Sequence, residues 1–246
     1  MGGQKLLQTI WDKVINIFLP KCCVLCRSIL TDKNNRHLCD SCWNKFKPIS
    51  GLFCQKCGKP LPDGGAHCYF CRTAGVSGTH FEYIRAAGVY EGVLKEVIHK
   101  FKYQGKDFLA LGLSEFLIQE SKDKFNWTEI DFIVPVPLHK KSEHKRGYNQ
   151  AKLLAEKVAI YFSKPLVLGN LIRVKKTKAQ MQLPREERLI NLVGAFAILN
   201  PLEFKGKIIL LIDDVSTTGA TIEECAKTAR SAGAKKILAL VVAHTV

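Results

Sequence analysis

The sequence predicts an α/β protein whose parallel sheet is covered by helices on both faces, preceded by a small cysteine-rich module. Beyond residue 80, apolar stretches typical of buried strands alternate with stretches of helical periodicity, which is the pattern of βαβ units. Nine of the ten cysteines lie between Cys22 and Cys71, so the composition changes near residue 75. We therefore expect an amphipathic helix over residues 1–20, a cysteine module over 21–75 and an α/β domain over 80–246.

The composition of the chain limits the classes of protein to which it can belong. With 47% hydrophobic and 24% charged residues among 246, the chain can form a core. The excess of 37 basic over 22 acidic residues gives a net charge of +15, which attracts polyanions. The first residues do not resemble a signal peptide, and no apolar run reaches the roughly eighteen residues of a membrane helix. We expect a cytoplasmic protein that does not span a membrane, with cysteines that hold metal.

The first twenty residues show an apolar periodicity of helical type. We expect this helix to dock on the body of the protein, because its polar face lacks the basic charge of membrane-surface helices. The apolar positions are Leu6, Leu7, Ile10, Val14, Ile17 and Phe18.

The α/β region divides into strands and helices by its apolar pattern. Strands are predicted over residues 81–90, 130–136, 165–172, 208–212 and 237–242. Helices are predicted over residues 93–103, 109–119, 149–162 and 221–232. Ligands of such a sheet bind at the carboxyl ends of its strands, which directs attention to the loops after Val136 and Ile212.

Four Cys-x2-Cys pairs occupy the cysteine module. A two-residue spacer lets both thiolates face one ion, and two such pairs complete a tetrahedral Zn²⁺ site. Eight ligands form two closed sites, which are structural because no position is open to water. The predicted ligands are Cys23, Cys26, Cys39, Cys42, Cys54, Cys57, Cys68 and Cys71.

The sequence leaves the ligand set open at several points. Cys22 adjoins Cys23 and is an alternative to it, and His67 beside Cys68 is another candidate ligand. Sequence order favours pairing the first Cys-x2-Cys with the second and the third with the fourth, although an interleaved arrangement would also give two sites. Cys225 stands apart on the apolar side of a predicted helix, where it is most simply a core residue.

The most specific signal is an apolar strand, two aspartates, a turn rich in hydroxyl groups and a helix, in that order. Backbone N–H groups at such a turn converge on one point, and the helix dipole adds positive charge there, so the turn suits a single phosphate. Gly219 lets the backbone approach that phosphate closely. The predicted phosphate-binding residues are Val215, Ser216, Thr217, Thr218, Gly219, Ala220 and Thr221.

Asp213 and Asp214 precede this turn and suit sugar hydroxyl groups or a hydrated Mg²⁺. A phosphate site beside such carboxylates describes a 5′-phosphorylated ribose. No lysine follows the glycine, so the turn is not a Walker loop. The segment resembles the signature of type I phosphoribosyltransferases, which bind phosphoribosyl pyrophosphate (PRPP) with Mg²⁺. This resemblance implies that Asp213 and Asp214 are catalytic.

The same resemblance assigns roles to two basic stretches. The loop after the predicted strand at 130–136 would hold the pyrophosphate, through Pro137, Leu138, His139, Lys140 and Arg146. The segment between Arg173 and Arg188 would form a hood over the site, with Lys178, Gln180 and Arg185.

The chain as a whole resembles the ComF/GntX family, which joins a double zinc ribbon to a phosphoribosyltransferase-type domain. The motifs that carry the resemblance are Val-Pro-Val-Pro-Leu, Arg-Gly-Tyr-Asn-Gln and Asp-Asp-Val-Ser-Thr-Thr-Gly-Ala-Thr, beside the Cys-x2-Cys pairs. The family implies a cytoplasmic role in natural transformation, acting on incoming single-stranded DNA with a competence helicase or other DNA-uptake proteins.

Two functions are compatible with these sequence features. The first is a PRPP-binding, phosphoribosyltransferase-like protein that handles single-stranded DNA, for which Trp43, Phe53, Tyr69 and Phe70 are candidate base-stacking residues. Those aromatic residues are otherwise expected in the ribbon core. The alternative is a metabolic phosphoribosyltransferase without a DNA role. The sequence identifies no acceptor, so turnover is left open.

Overall fold

The computed structural model describes residues 21–30, 36–73, 78–175 and 192–245. The helix expected over residues 1–20 and the expected hood residues Lys178, Gln180 and Arg185 lie outside this part of the chain.

The described part contains strands and helices in the alternation that the sequence predicts. The strands are β1 (Tyr83–Val89), β2 (Phe132–Pro135), β3 (Leu171–Arg173), β4 (Phe196–Ile198), β5 (Ile208–Ser216) and β6 (Lys236–His244). The helices are α1 (Asp40–Trp43), α2 (Tyr69–Thr73), α3 (Gly92–Tyr103), α4 (Leu109–Gln119), α5 (Lys140–Arg146), α6 (Gln150–Tyr161), α7 (Pro201–Phe204) and α8 (Ala220–Ser231), with a 3-10 helix at Trp127–Glu129.

Four of the strands form the expected parallel sheet, in the order β1-β6-β5-β2. The apolar run at the start of β5 is buried on both faces of the sheet: Leu210 and Ile212 pack against one core, and Ile209 and Leu211 against the other. Helices α3, α4 and α6 cover the first face, whereas α8 and the antiparallel pair β3–β4 cover the second. The predicted fold class is confirmed.

Two segments differ from the predicted elements. The strand expected over 165–172 is split: residue 166 makes an isolated bridge to β2, and β3 pairs antiparallel with β4, which was not predicted. Gly169 separates the two parts with a left-handed φ of +75°. The basic stretch after β2 folds into α5, because the His139 side chain accepts a hydrogen bond from the Lys141 N–H and Gly147 ends the helix at φ +88°.

The first ribbon, residues 23–42, packs on α4 of the α/β domain. The guanidinium of Arg36 donates two hydrogen bonds to the Glu115 carboxylate, at 2.8 and 2.9 Å. Just beyond the ribbon, the rings of Phe46 and Phe116 meet edge to face with centroids 5.1 Å apart. Both contacts hold the first ribbon on the face of the sheet that α3, α4 and α6 cover.

The second ribbon, residues 54–71, docks on the outer edge of β1. The Ile84 N–H donates to the Lys56 carbonyl at 2.8 Å, and Arg85 Nη1 donates to the Gln55 carbonyl at 2.9 Å. The linker between the ribbons extends this pairing, because the Ile49 N–H donates to the Ala87 carbonyl at 3.0 Å. The edge strand of the sheet is thereby covered by the cysteine module.

Gly58 of the second ribbon lies close to the backbone of β1. A Cβ on Gly58 would lie 2.7 Å from the Ile84 carbonyl oxygen, and its φ is +75°. Gly51 has a similar φ of +85° but no neighbour within 4 Å of a Cβ. Gly58→Ala should therefore lower the free energy of unfolding by about 1–3 kcal/mol more than Gly51→Ala, measured by denaturant titration of the zinc-loaded protein. Equal losses in the two variants would contradict the tight docking.

Candidate functional site

The eight predicted zinc ligands form two groups of four. Within each group all sulfur atoms lie within 4.8 Å of one another, and the groups are Cys23, Cys26, Cys39, Cys42 and Cys54, Cys57, Cys68, Cys71. The Cys26–Cys39 Sγ atoms are 3.5 Å apart and the Cys57–Cys68 Sγ atoms 3.7 Å apart. Tetrahedral zinc with Zn–S bonds of about 2.3 Å requires roughly 3.8 Å, so the donor sets fit zinc.

This geometry bears on the alternatives that the sequence left open. Consecutive Cys-x2-Cys pairs share a group, and the two groups contain neither Cys22 nor His67 among the described residues. The ten cysteines, all within the described ranges, form no disulfide, and Cys225 is a buried residue of α8. Each group is closed by four sulfur donors, which is the arrangement of a structural zinc site.

Residues 215–221 include the end of β5, the turn that follows it and the start of α8; we call them the β5–α8 turn, and they lie at the carboxyl edge of the parallel sheet. Gly219 occupies the N-cap of α8 with φ +76°, a conformation that favours glycine. The Ala220 N–H donates to Thr218 Oγ1 at 3.3 Å, and the positive end of the helix dipole favours an anion here. A small cavity at this turn is lined by residues 213 and 215–222.

The hydroxyl-bearing side chains of the turn differ in their exposure to solvent. The hydroxyl-bearing residues Thr217, Thr218 and Thr221 are partly exposed, whereas Ser216 is buried. Ser216 shares the strand face of Leu210 and Ile212, because side chains two residues apart in a strand project to the same side. Among the predicted phosphate-binding residues, Ser216 thus contributes backbone and no exposed hydroxyl.

Asp213 and Asp214, adjacent in sequence, face opposite sides of β5. Asp213 lies on the side of Ile209 and Leu211 and lines the cavity at the turn, with its Oδ1 accepting the Asp214 N–H at 2.8 Å. Burial and the nearby charge of Asp214 raise the pKa of Asp213 to about 7. Asp213 is consequently the carboxylate that a ligand at the turn would meet.

Asp214 is instead paired with Lys102 of α3 inside the protein. Lys102 Nζ lies 2.7 Å from Asp214 Oδ1, and Asp214 is only 2% exposed. Burial alone would lower the pKa of Lys102, but the charges of Asp214 and Asp213 raise it above its usual value. Among the described residues, no protein group donates a hydrogen bond to Asp214 Oδ2.

Lys102 was missed by the sequence reasoning, although the sequence contains a signal for it. Leu94 and Ile98 are buried residues of α3, and Lys102 follows them at the same four-residue interval. A lysine in the apolar stripe of an amphipathic helix needs a buried partner of opposite charge.

Three of the five predicted pyrophosphate residues line one cavity, and the other two do not line it. Pro137, Leu138 and Lys140 line a cavity of about 400 Å³ beside the end of β2. His139 caps α5. Arg146 donates to the Gln150 side chain and lies over the Tyr103 ring, 5.4 Å from its centroid.

Two further residues shape this cavity and were not predicted as site residues. Arg173 of β3 lines it, and its positive charge favours the ionised form of Asp213 across the site. Asn149 fixes the loop after β2, because its Nδ2 donates to the Val136 carbonyl at 3.1 Å while its Oδ1 accepts the Ala151 N–H at 2.9 Å. The effect of Arg173 on Asp213 links positions far apart in sequence and has no local signal, whereas an asparagine at a helix start is a recognisable cap.

The four candidate stacking residues also divide into two pairs. Trp43 packs with Phe46 and Phe116, and Phe53 packs against the core and the Arg85 guanidinium. Tyr69 and Phe70 are 65% and 41% exposed at the start of α2. Only the second pair presents rings to solvent.

No helix in the described ranges combines the length and the apolar character needed to cross a membrane. Two domain families match the chain. Residues 14–72 match the double zinc ribbon domain, and residues 113–245 match the phosphoribosyl transferase domain.

Several known proteins are similar to this chain over most of its length. Competence protein F of Haemophilus influenzae is 31% identical over 219 residues, which cover 87% of this chain and 93% of that protein. Competence protein ComFC of Bacillus subtilis is 32% identical over 82% of this chain and 81% of its own. The DNA utilization protein YhgH of Salmonella typhimurium is 28% identical over 85% and 90%. The resemblance expected from the motifs is confirmed: the chain belongs to the ComF family, with a double zinc ribbon and a phosphoribosyltransferase domain.

Proposed function

We propose that this protein binds Mg²⁺–PRPP at the turn between β5 and α8 and handles single-stranded DNA in natural transformation. The observation that carries the proposal is the cavity at residues 213 and 215–222, where an anion-binding helix start adjoins one cavity-facing carboxylate. A 5′-phosphate on the turn would bring the ribose hydroxyl groups, or a hydrated Mg²⁺, toward Asp213. Carboxylate oxygen is a ligand that Mg²⁺ prefers.

The surrounding charges support a pyrophosphate beyond the ribose. Lys140 and Arg173 line the neighbouring cavity of about 400 Å³, and a cationic lining suits a diphosphate. When bound, Mg²⁺ would neutralise the pyrophosphate and favour its departure. Asp213 would then stabilise positive charge that develops on the ribose.

The DNA role is supported by different observations. Two similar proteins are named for competence and a third for DNA utilization. The net charge of +15 attracts a polyanion, and the exposed ring of Phe70 suits base stacking. Cysteines grouped to hold zinc fit a reducing compartment, so we place this function in the cytoplasm.

Calorimetric titration with Mg²⁺–PRPP tests the ligand directly. At about pH 8 the wild type should bind, because Asp213 is ionised above its pKa of about 7, and affinity should fall as the pH is lowered through that value. Asp213→Asn should abolish binding, and it leaves the buried Lys102–Asp214 pair intact. Asp123→Asn, at an exposed position, is the control and should bind as the wild type does. Absence of binding by folded wild type would contradict the proposal.

The buried ion pair between Lys102 and Asp214 should contribute to the stability of the protein. Lys102→Met leaves Asp214 buried without its partner and should lower the free energy of unfolding by about 3 kcal/mol, whereas Lys95→Met on the exposed face of α3 should change little. Adding Asp214→Asn to Lys102→Met should restore most of the loss, because no buried charge then lacks a partner. Denaturant titration measures all three, and a double variant no more stable than Lys102→Met would contradict the pairing.

Binding of single-stranded DNA is tested by its dependence on salt. The affinity for a single-stranded oligonucleotide should fall steeply with salt, its logarithm dropping by roughly 0.7 per phosphate contact for each log unit. Fluorescence anisotropy measures it, with the duplex of the same sequence as the control. Mg²⁺–PRPP binding without any DNA binding would instead favour the metabolic phosphoribosyltransferase.

A further inference from the structure

Another cavity lies between the β5–α8 turn and the second ribbon. Its volume is about 140 Å³, well above the ~10–15 Å³ that one water needs. We call it the ribbon cavity. Its walls come from the ribbon and the segment that follows it on one side and from α8 and the sheet on the other, and they include Lys56, Lys59, Phe70, Phe81, Glu223 and the turn residues 217–220.

The turn is therefore shared by two cavities. Residues 217–220 line both of them, but the first cavity contains Asp213 and the second contains Phe70. A phosphate on the turn would face both cavities, which measure about 10 Å³ on the Asp213 side and about 140 Å³ on the ribbon side. PRPP carries its 5′-phosphate as a monoester, and its one organic substituent would lie toward Asp213. A phosphodiester carries two substituents, and the ribbon cavity gives the second one a place.

The chemistry of the ribbon cavity suits a nucleobase. Phe70 and Phe81 provide aromatic surface, while Lys56 and Lys59 provide positive charge. Lys56 is fixed in place, since its Nζ donates to the Phe81 carbonyl at 2.7 Å and lies 5.2 Å from the Phe81 ring centroid. The one carboxylate of the lining, Glu223, accepts the His80 N–H at 3.0 Å and contacts the His80 ring.

The ribbon wall of this cavity depends on the second cysteine group. Cys57, Cys68 and Cys71 line the cavity, and Phe70 lies between the last two on α2. The close approach of Gly58 to Ile84 fixes the same ribbon against β1. Phe70 is thus held at a set distance from the β5–α8 turn by the ribbon fold.

We propose that the ribbon cavity holds one base of a DNA single strand, while the adjoining phosphodiester lies on the β5–α8 turn. The strand and PRPP then compete for that turn. This proposal rests on the proposed function, since it assigns to the DNA strand a place beside the PRPP site. It makes Phe70 a base-stacking residue and Lys59 a cationic contact to a strand phosphate beside that base.

The test compares two neighbouring aromatic residues in the full zinc-loaded chain. Phe70→Ala should weaken binding of a single-stranded deoxythymidine oligonucleotide by about 5- to 150-fold, the range of one base–aromatic stack. Tyr69→Ala removes the more exposed ring beside it, which does not line the cavity, and should leave affinity nearly unchanged. Zinc content and circular dichroism establish that each variant is folded. Lys59→Gln is a second variant, which should reduce the salt slope by roughly 0.7.

Two further measurements test displacement of the oligonucleotide by PRPP and the preference for DNA over RNA. Mg²⁺–PRPP should displace the oligonucleotide from the wild type, and both aromatic variants should retain wild-type affinity for Mg²⁺–PRPP in calorimetry. Equal losses in Phe70→Ala and Tyr69→Ala, or PRPP binding without displacement, would overturn the cavity proposal and leave the PRPP site standing. Tighter binding of the matching RNA strand would overturn the assignment to DNA.

Failure of the proposed function can be distinguished from failure of the cavity proposal. If the wild type binds no PRPP, the proposed function fails, whereas oligonucleotide binding that is sensitive to Phe70 and displaced by inorganic phosphate would still support the cavity. No oligonucleotide binding by the wild type overturns both the DNA role and this proposal.

Discussion

The buried ion pair between Lys102 and Asp214 is the interaction on which the site at the end of β5 depends. β5 is a central strand with neighbours on both sides, so a carboxylate on its α3-covered face is enclosed by protein. Lys102 supplies the compensating charge at 2.7 Å, which permits Asp214 to remain buried. Asp213, on the other face, is then the carboxylate available to a ligand. Burial and the negative charge of Asp214 raise the pKa of Asp213.

A second constraint joins the cysteine module to this site. The second ribbon is hydrogen-bonded to β1, and Gly58 lets its backbone approach the Ile84 carbonyl. The wall that carries Phe70 consequently faces the β5–α8 turn across the ribbon cavity. The zinc-binding module contributes directly to the shape of the site, in addition to supporting the fold.

The sequence predicted those features that arise from contiguous residues. The Cys-x2-Cys spacing predicted both sulfur groups, and the strand–turn–helix pattern predicted the turn with Gly219 at the start of α8. Features that depend on distant segments were missed: the partner of Asp214 lies 112 positions earlier, at Lys102, and β4 pairs with β3 across a long connection. The two aspartates were treated as one pair, although the alternation of a strand sends adjacent side chains to opposite faces.

Hydrogen–deuterium exchange of the zinc-loaded protein with and without Mg²⁺–PRPP is the most direct test of the phosphate site, because it locates the bound phosphate on the chain. We predict that added ligand slows exchange of the backbone N–H groups in residues 215–221, with smaller protection in the loop after β2. Unchanged exchange in residues 215–221 while the ligand binds, or protection confined to another surface, would contradict the assignment of the phosphate to the β5–α8 turn.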